Sequence, residues 1–135
     1  MSVPSGDPSS LSVVEMNGGH SLGRWGEDVA CRFLESCGYR CLDRRFRRPG
    51  GEIDLVMARA GLVVFVEVKT RGPRAADRPE AWVSRGQLAR LRRVARIWIS
   101  ENRTVRARGY RFDVVAVVQG GDERGSEIRH LVGVG

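Results

Sequence analysis

Gly51-Glu52-Ile53-Asp54-Leu55 and, a short connection later, Val63-Val64-Phe65-Val66-Glu67-Val68-Lys69 decide how this chain folds. The second run is apolar enough for a strand buried on both faces. It nevertheless ends in a carboxylate and an ammonium two residues apart, where burial is costly without compensation. Side chains two apart on a strand share a face, so Glu67 and Lys69 point one way and Val66 and Val68 the other. Arg59-Ala60-Gly61-Leu62 reads as the hairpin connection. Pairing Arg59 with Leu62, or Ala58 with Val63 across a four-residue loop, sets Asp54 opposite Glu67; an odd-length loop would put them on opposite faces. Opposed carboxylates have Cβ atoms ~5 Å apart and repel unless a proton or a cation lies between them. A divalent, oxygen-preferring metal, Mg²⁺ or Mn²⁺, is the natural occupant.

Of the 23 lysines and arginines, Lys69 alone is lysine. A position needing only positive charge would be expected to carry arginine in this chain. A compact ammonium suits a cation that must touch a reacting phosphate or its attacking water.

These residues carry a resemblance. Gly-Glu-Ile-Asp-Leu on one strand and Phe-Val-Glu-Val-Lys-Thr-Arg on the next resemble the PD-(D/E)xK nuclease signature. More narrowly, the chain resembles the bacterial UPF0102, or YraN-like, family of predicted endonucleases, related to archaeal Holliday junction resolvases. The resemblance spans roughly residues 23–134. It implies a restriction-endonuclease-like αβββαβ core, an α/β fold with a mixed central sheet flanked by helices. Asp54, Glu67 and Lys69 map onto the core motif, and Glu27, in Gly23-Arg24-Trp25-Gly26-Glu27, matches the acidic residue of the family's first helix. Where the family usually has lysine early in its second long helix, this chain has Gln87; related nucleases also use glutamine near there. Resolvase-like relatives imply a homodimer able to cut two strands.

A chain of 135 residues with 41% hydrophobic content is long enough for one core and too short for two. A net charge of +7 favours an anionic partner, nucleic acid being the usual one, against the bland alternative of a solvated basic surface. No membrane span or secretory signal is legible, so the expected location is cytoplasmic. Cys31, Cys37 and Cys41 are odd in number and lack a C-x-x-C pair, which favours reduced core thiols over disulfides or zinc.

Residues 1–20 are rich in Ser, Gly and Pro and read as a disordered tail ahead of an endonuclease-like domain over 21–135. A helix is predicted from Ser21 as N-cap to a stop before Gly38, packing through Leu22, Trp25, Val29 and Phe33. Glu27 falls about 120° from the centre of that stripe, at the margin of the core. Tyr39–Phe46 reads as an edge-like strand leading to Arg44, Arg45, Arg47 and Arg48, whose guanidinium groups are candidates to hold a phosphate backbone. Strands are expected over Ile53–Ala58 and Leu62–Thr70. A loop follows over residues 71–79, and its Arg71 and Arg74 are candidates to clamp substrate. Ser84 caps a second helix that packs through Leu88, Leu91, Val94, Ala95 and Trp98. Gln87 lies on that inward stripe, while Arg85, Arg92, Arg93 and Arg96 lie on the other side. Arg85 joins the candidate phosphate contacts. Arg111–Val118 reads as a buried strand, Gly120–Ser126 as a turn and Glu127–Val132 as the last strand, with Arg111 and Asp113 as structural support.

The chemistry these residues suggest is metal-dependent hydrolysis of a phosphodiester bond. Asp54 and Glu67 would supply oxygens to Mg²⁺ or Mn²⁺, with the Val68 carbonyl as a further ligand and Glu27 binding directly or through water. Lys69 would position the attacking water or stabilise developing charge, and Glu52 is placed to pair with Lys69. DNA, including branched DNA, is the expected substrate. Two other classes compete: a nucleic-acid-binding protein of nuclease fold with little turnover, and a protein-interaction scaffold whose basicity is incidental.

Overall fold

The computed structural model describes residues 19–72, 83–120 and 126–134. Its elements run α1 (Gly19–Ser36), β1 (Arg40–Arg48), β2 (Gly51–Arg59), β3 (Leu62–Arg71), α2 (Arg85–Glu101), β4 (Gly109–Val118) and β5 (Glu127–Leu131). The five strands form one sheet in sequential order. All neighbours are antiparallel except β3 and β4, which run parallel because α2 returns the chain to the starting edge. The protein is therefore an α/β fold with a mixed sheet, and β3, whose sequence is almost continuously apolar, lies at its centre.

The two helices cover opposite faces of the sheet. Trp25, Val29, Ala30 and Leu34 of α1 pack on Leu55, Met57, Val64, Val66, Val115 and Val117. Leu91, Val94, Ala95 and Trp98 of α2 pack on Ile53, Val56, Val63 and Phe65. Phe65 anchors the second layer, its ring 5.7 Å from Trp98 and 5.5 Å from Phe112. Each such fully buried side chain contributes about 1.5–3 kcal/mol. No helix among the described residues is long and apolar enough to cross a membrane.

The β2–β3 hairpin closes through two residues, Ala60 (φ 52°) and Gly61 (φ 81°), with Arg59 opposite Leu62. Two successive positive φ values match the right-handed twist of the flanking strands. The Arg108 amide donates to the Gly61 carbonyl at 2.7 Å and fixes the turn from outside. Ser84 caps α2 as expected, its hydroxyl accepting from the Gln87 amide at 3.1 Å.

Several boundaries differ from expectation. Helix α1 opens at Gly19, so Ser21 lies inside its first turn and is not the N-cap; cap-type residues fix a helix start only to within a turn. Strand β1 continues to Arg48, so all four arginines lie in the strand, because an edge strand tolerates long charged side chains on its open flank. Cys31 is buried and Cys41 half-buried, but Cys37 is exposed just past the helix end, so only two of the three thiols belong to the core. The predicted loop over residues 71–79 and the turn after Gly120 fall largely outside the described residues, Arg74 with them.

On the α1 face, Asp113 is the buried acidic side chain of the core, 1% exposed. It accepts from Arg111 Nε and Nη2 at 2.8 and 2.7 Å and from the Gly133 amide at 3.0 Å, and it meets His130 Nε2 at 2.6 Å. Arg111 also donates to the Tyr39 hydroxyl at 2.8 Å, so the network ties β4 to the start of β1 and the end of β5. Burial alone would push the Asp113 carboxyl up. The hydrogen bonds from His130, Arg111 and Gly133, with the Arg111 charge, outweigh it and hold the group at about 2. A carboxyl held below its ordinary value of 3.8 stabilises the fold above that pH, and the contribution disappears as pH falls from about 4 towards 2. Asp113→Ala is expected to cost about 3–5 kcal/mol at pH 7 by stranding Arg111, with the difference from wild type shrinking below pH 4. Urea unfolding at pH 7 and pH 3 measures this, and a cost under about 1 kcal/mol at pH 7 would contradict the role given to Asp113.

Candidate active site

Paired residues of β2 and β3 run from Arg59 and Leu62 to Leu55 and Val66, and the ladder ends there. Asp54 and Glu67, expected as the next directly opposed pair, lie just beyond its end. The side-chain alternation of β2 breaks at the same point: Leu55 packs with α1, whereas Ile53, two residues away, packs with α2. Asp54 sits at this switch of faces and turns towards β3, where its Oδ2 accepts the Val68 amide at 2.7 Å. A carboxylate thus replaces the backbone acceptor that a continuous ladder would supply, and the strands part around it. In an extended strand the N–H and C=O of one residue leave on the same side, so the Val68 carbonyl opens on the same gap.

Glu67 reaches the site from the other strand. Its Oε2 lies 3.0 Å from Lys69 Nζ and accepts from Gln87 Nε2 at 3.3 Å. The Glu67 and Lys69 side chains are 12% and 14% exposed, so this pair is shielded rather than fully solvated. Gln87, at the start of α2, is brought to the site as its place on the inward stripe predicts. Glu52 pairs instead with Arg47 at 3.0 Å, which corrects the expected Glu52–Lys69 bridge. The nearer carboxylate, Glu67, has taken the lysine.

Glu27 lies on α1, 14% exposed, with Oε1 2.6 Å from Arg45 Nε and 4.0 Å from Arg44. The buried face of α1 is turned further towards Glu27 than the predicted stripe. Ala30 and Leu34 are more deeply buried than Leu22 and Phe33, because the helix meets the sheet through its smallest side chain. That contact is Gly26: a Cβ placed there would lie 2.0 Å from Thr70 Oγ1. The close approach locks Glu27, one residue on, against the strand carrying Lys69. A glycine inside a helix costs about 1 kcal/mol relative to alanine, and it was the legible sign of this contact.

The electrostatics follow from the convergence. Burial, then repulsion by Glu67, raise the Asp54 carboxyl to about 8 against the favourable bond from the Val68 amide; Glu27 and Glu52 add to the rise. Three carboxylates, Glu67, Glu27 and Glu52, therefore act on Asp54. No group of three or more His, Cys, Asp and Glu side chains among the described residues is gathered into a closed metal cage. The donors fit the other common arrangement for a hard cation, one or two carboxylates and a carbonyl with water completing the shell. Asp54, Glu67 and the Val68 carbonyl could supply that set.

The four candidate arginines of β1 are each engaged by a carboxylate: Arg44 by Asp28 at 2.6 Å, Arg45 by Glu27, Arg47 by Glu52, and Arg48 by Glu101. Arg71 donates to the Thr70 carbonyl at 2.9 Å, and Arg85 is exposed at the start of α2.

A mixed five-stranded sheet between two helices, with acidic groups and a lysine where two central strands part, places this chain among α/β proteins with a polar site at a split in the sheet. The chain belongs to the UPF0102 family: the model described as "Uncharacterised protein family UPF0102" matches residues 26–117. It is 44% identical over 115 residues to a UPF0102 protein of Beutenbergia cavernae, covering 85% of this chain and 96% of that one. Identity to a UPF0102 protein of Syntrophotalea carbinolica is 41% over 113 residues, covering 84% and 89%. For one from Paenarthrobacter aurescens it is 38% over 122 residues, covering 90% and 99%.

Gly26→Ala is expected to lower stability by about 1–3 kcal/mol through overpacking against Thr70. Thr70→Ala in the same chain should recover most of that loss, and Thr70→Ser, which keeps Oγ1, should not. A double-mutant cycle by chemical denaturation measures the coupling, and additive effects would contradict the contact.

Proposed function

We propose that this protein is a Mg²⁺- or Mn²⁺-dependent endonuclease that hydrolyses phosphodiester bonds in nucleic acid, with DNA, including branched DNA, as the substrate class. The observation that carries the reading is the half-buried Asp54, raised to about 8 beside Glu67, with Lys69 3.0 Å from the latter. A carboxyl held out of solvent beside a second carboxylate, at a cost in stability, calls for a cation, and the adjacent lone lysine supplies the companion charge that phosphoryl chemistry uses.

Asp54, Glu67 and the Val68 carbonyl would hold the ion, and Glu27 would join through water. When bound, a divalent cation supplies Lewis acidity at a phosphate oxygen and a water of lowered pKa. Asp54 would hold the ion as the carboxylate, since proton and cation would compete for the same oxygen. Lys69, 3.0 Å from Glu67, would turn its donors to the attacking water or the developing phosphorane charge once that carboxylate served the ion. Gln87, already hydrogen-bonded to Glu67, keeps that carboxylate oriented. The shielding around Glu67 and Lys69 strengthens each of these interactions relative to open solvent.

Labelled linear, flapped and four-way-junction DNA incubated with Mg²⁺ or Mn²⁺ tests the reading. Wild type is expected to cut at least one substrate, chelator to stop it, and Glu67→Ala and Lys69→Ala each to slow it by about 10²-fold or more. Lys69→Arg should restore little, because a planar fork cannot replace the point charge. Equal background from all variants would favour a binding protein of the same fold.

A further inference from the structure

Of the arginines expected to grip the substrate, the four at the end of β1 are taken by carboxylates, whereas Arg85 on α2 is left available. Of the β1 arginines, Arg44, Arg45, Arg47 and Arg48 each have a carboxylate partner, three of them at 2.6–3.0 Å. On α2, by contrast, Arg85, Arg90, Arg93 and Arg96 are all exposed, and none has an ion-pair partner among the described residues. Glu101, the only acidic residue between positions 83 and 112, is taken by Arg48.

A structural role does not account for this helix. Like charges three and four residues apart destabilise a helix, and here Arg93 and Arg96, and Arg90 and Arg93, are so spaced. The first turn of α2 has no acidic residue, and Arg85 lies there against the favourable sign of the helix dipole. The stripe is also placed to serve the site. A Cβ on Gly50 would lie 3.2 Å from Arg93 Nη1 and one on Gly51 3.7 Å from Arg90 Cβ, so both arginines overhang the turn that leads into Glu52 and Asp54. Gln87, one turn before Arg90, touches Glu67. From Arg85 to Arg96 the helix advances ~16 Å. At ~3.4 Å per nucleotide along one strand, that is the span of about five phosphates.

We propose that the outward face of α2, through Arg85, Arg90, Arg93 and Arg96, is the track that binds the sugar-phosphate backbone and leads it to the Asp54–Glu67 site. This rests on the nuclease reading for where the strand ends up, but the track is a binding surface in its own right. Its contacts are charge on charge, so the partner is nucleic acid of any sequence, and the end of β1 with its neutralised Arg44, Arg45, Arg47 and Arg48 is a flank.

Fluorescence anisotropy with a labelled duplex in EDTA, over a series of KCl concentrations, separates binding from cleavage. For the variant Arg85→Gln/Arg93→Gln/Arg96→Gln, affinity at low salt should fall at least thirtyfold, and the slope of log affinity against log salt should fall by about 2–3. Arg96→Gln alone should lower the slope by about 1, which keeps the test available if the triple variant unfolds. Arg47→Gln/Arg48→Gln should change affinity less than threefold. An unchanged slope in the α2 variants overturns the proposal. So does a larger effect from the β1 pair, or wild type that binds phosphatidylserine vesicles and not DNA. Binding that depends on α2 in a protein that cuts nothing would sustain the track and remove the nuclease.

Discussion

Asp54 is held where solvent is scarce and other carboxylates are near, and much of the architecture around it follows from that constraint. A sheet can bury an acidic side chain only by giving it donors, and the donor here is the Val68 amide. That amide is available because the β2–β3 ladder stops at Leu55 and Val66, and the ladder stops because β2 changes faces at Asp54. The second carboxylate, Glu67, is neutralised by a lysine and oriented by an amide from the opposite helix. Two helices on opposite faces thus contribute to one point, Glu27 from α1 and Gln87 from α2, which a flat unbroken sheet would have kept apart.

Charge is partitioned with similar economy. Asp28, Glu52 and Glu101 are spent on Arg44, Arg47 and Arg48, so this end of the edge strand carries little net positive field despite its sequence. Among the described residues, Arg85, Arg90, Arg93 and Arg96 of α2 are exposed guanidinium groups without an ion-pair partner. The Asp113 network performs a different task on the far side of β3, tying three elements together around one fully desolvated carboxylate.

The hairpin register, the Ser84 cap and the inward direction of Gln87 were legible in the sequence, because each is set by local chemistry: a two-residue turn, a hydroxyl at a helix start, a helical period. The order of elements followed for the same reason, since an apolar β3 and an amphipathic α2 admit few arrangements. The break at Asp54 was not legible. Strict alternation is the default for a strand, and the departure is imposed by two helices packing from opposite sides. Nor could the sequence show that Arg44, Arg45, Arg47 and Arg48 are neutralised, because their partners come from 5 to 53 positions away. The rotation of α1 towards Glu27 depends on the Gly26–Thr70 approach, a contact between distant residues that only a glycine in mid-helix hinted at.

The central claim is that Asp54 and Glu67 share a hard cation. Crystals soaked in Mn²⁺ at a pH above 8, where the Asp54 carboxyl is ionised, test it most directly through anomalous scattering. The account predicts a peak within about 2.0–2.3 Å of an oxygen from each carboxylate and close to the Val68 carbonyl. A fully soaked crystal without that peak, with Asp54 still bound only to the Val68 amide and Glu67 to Lys69, would contradict it.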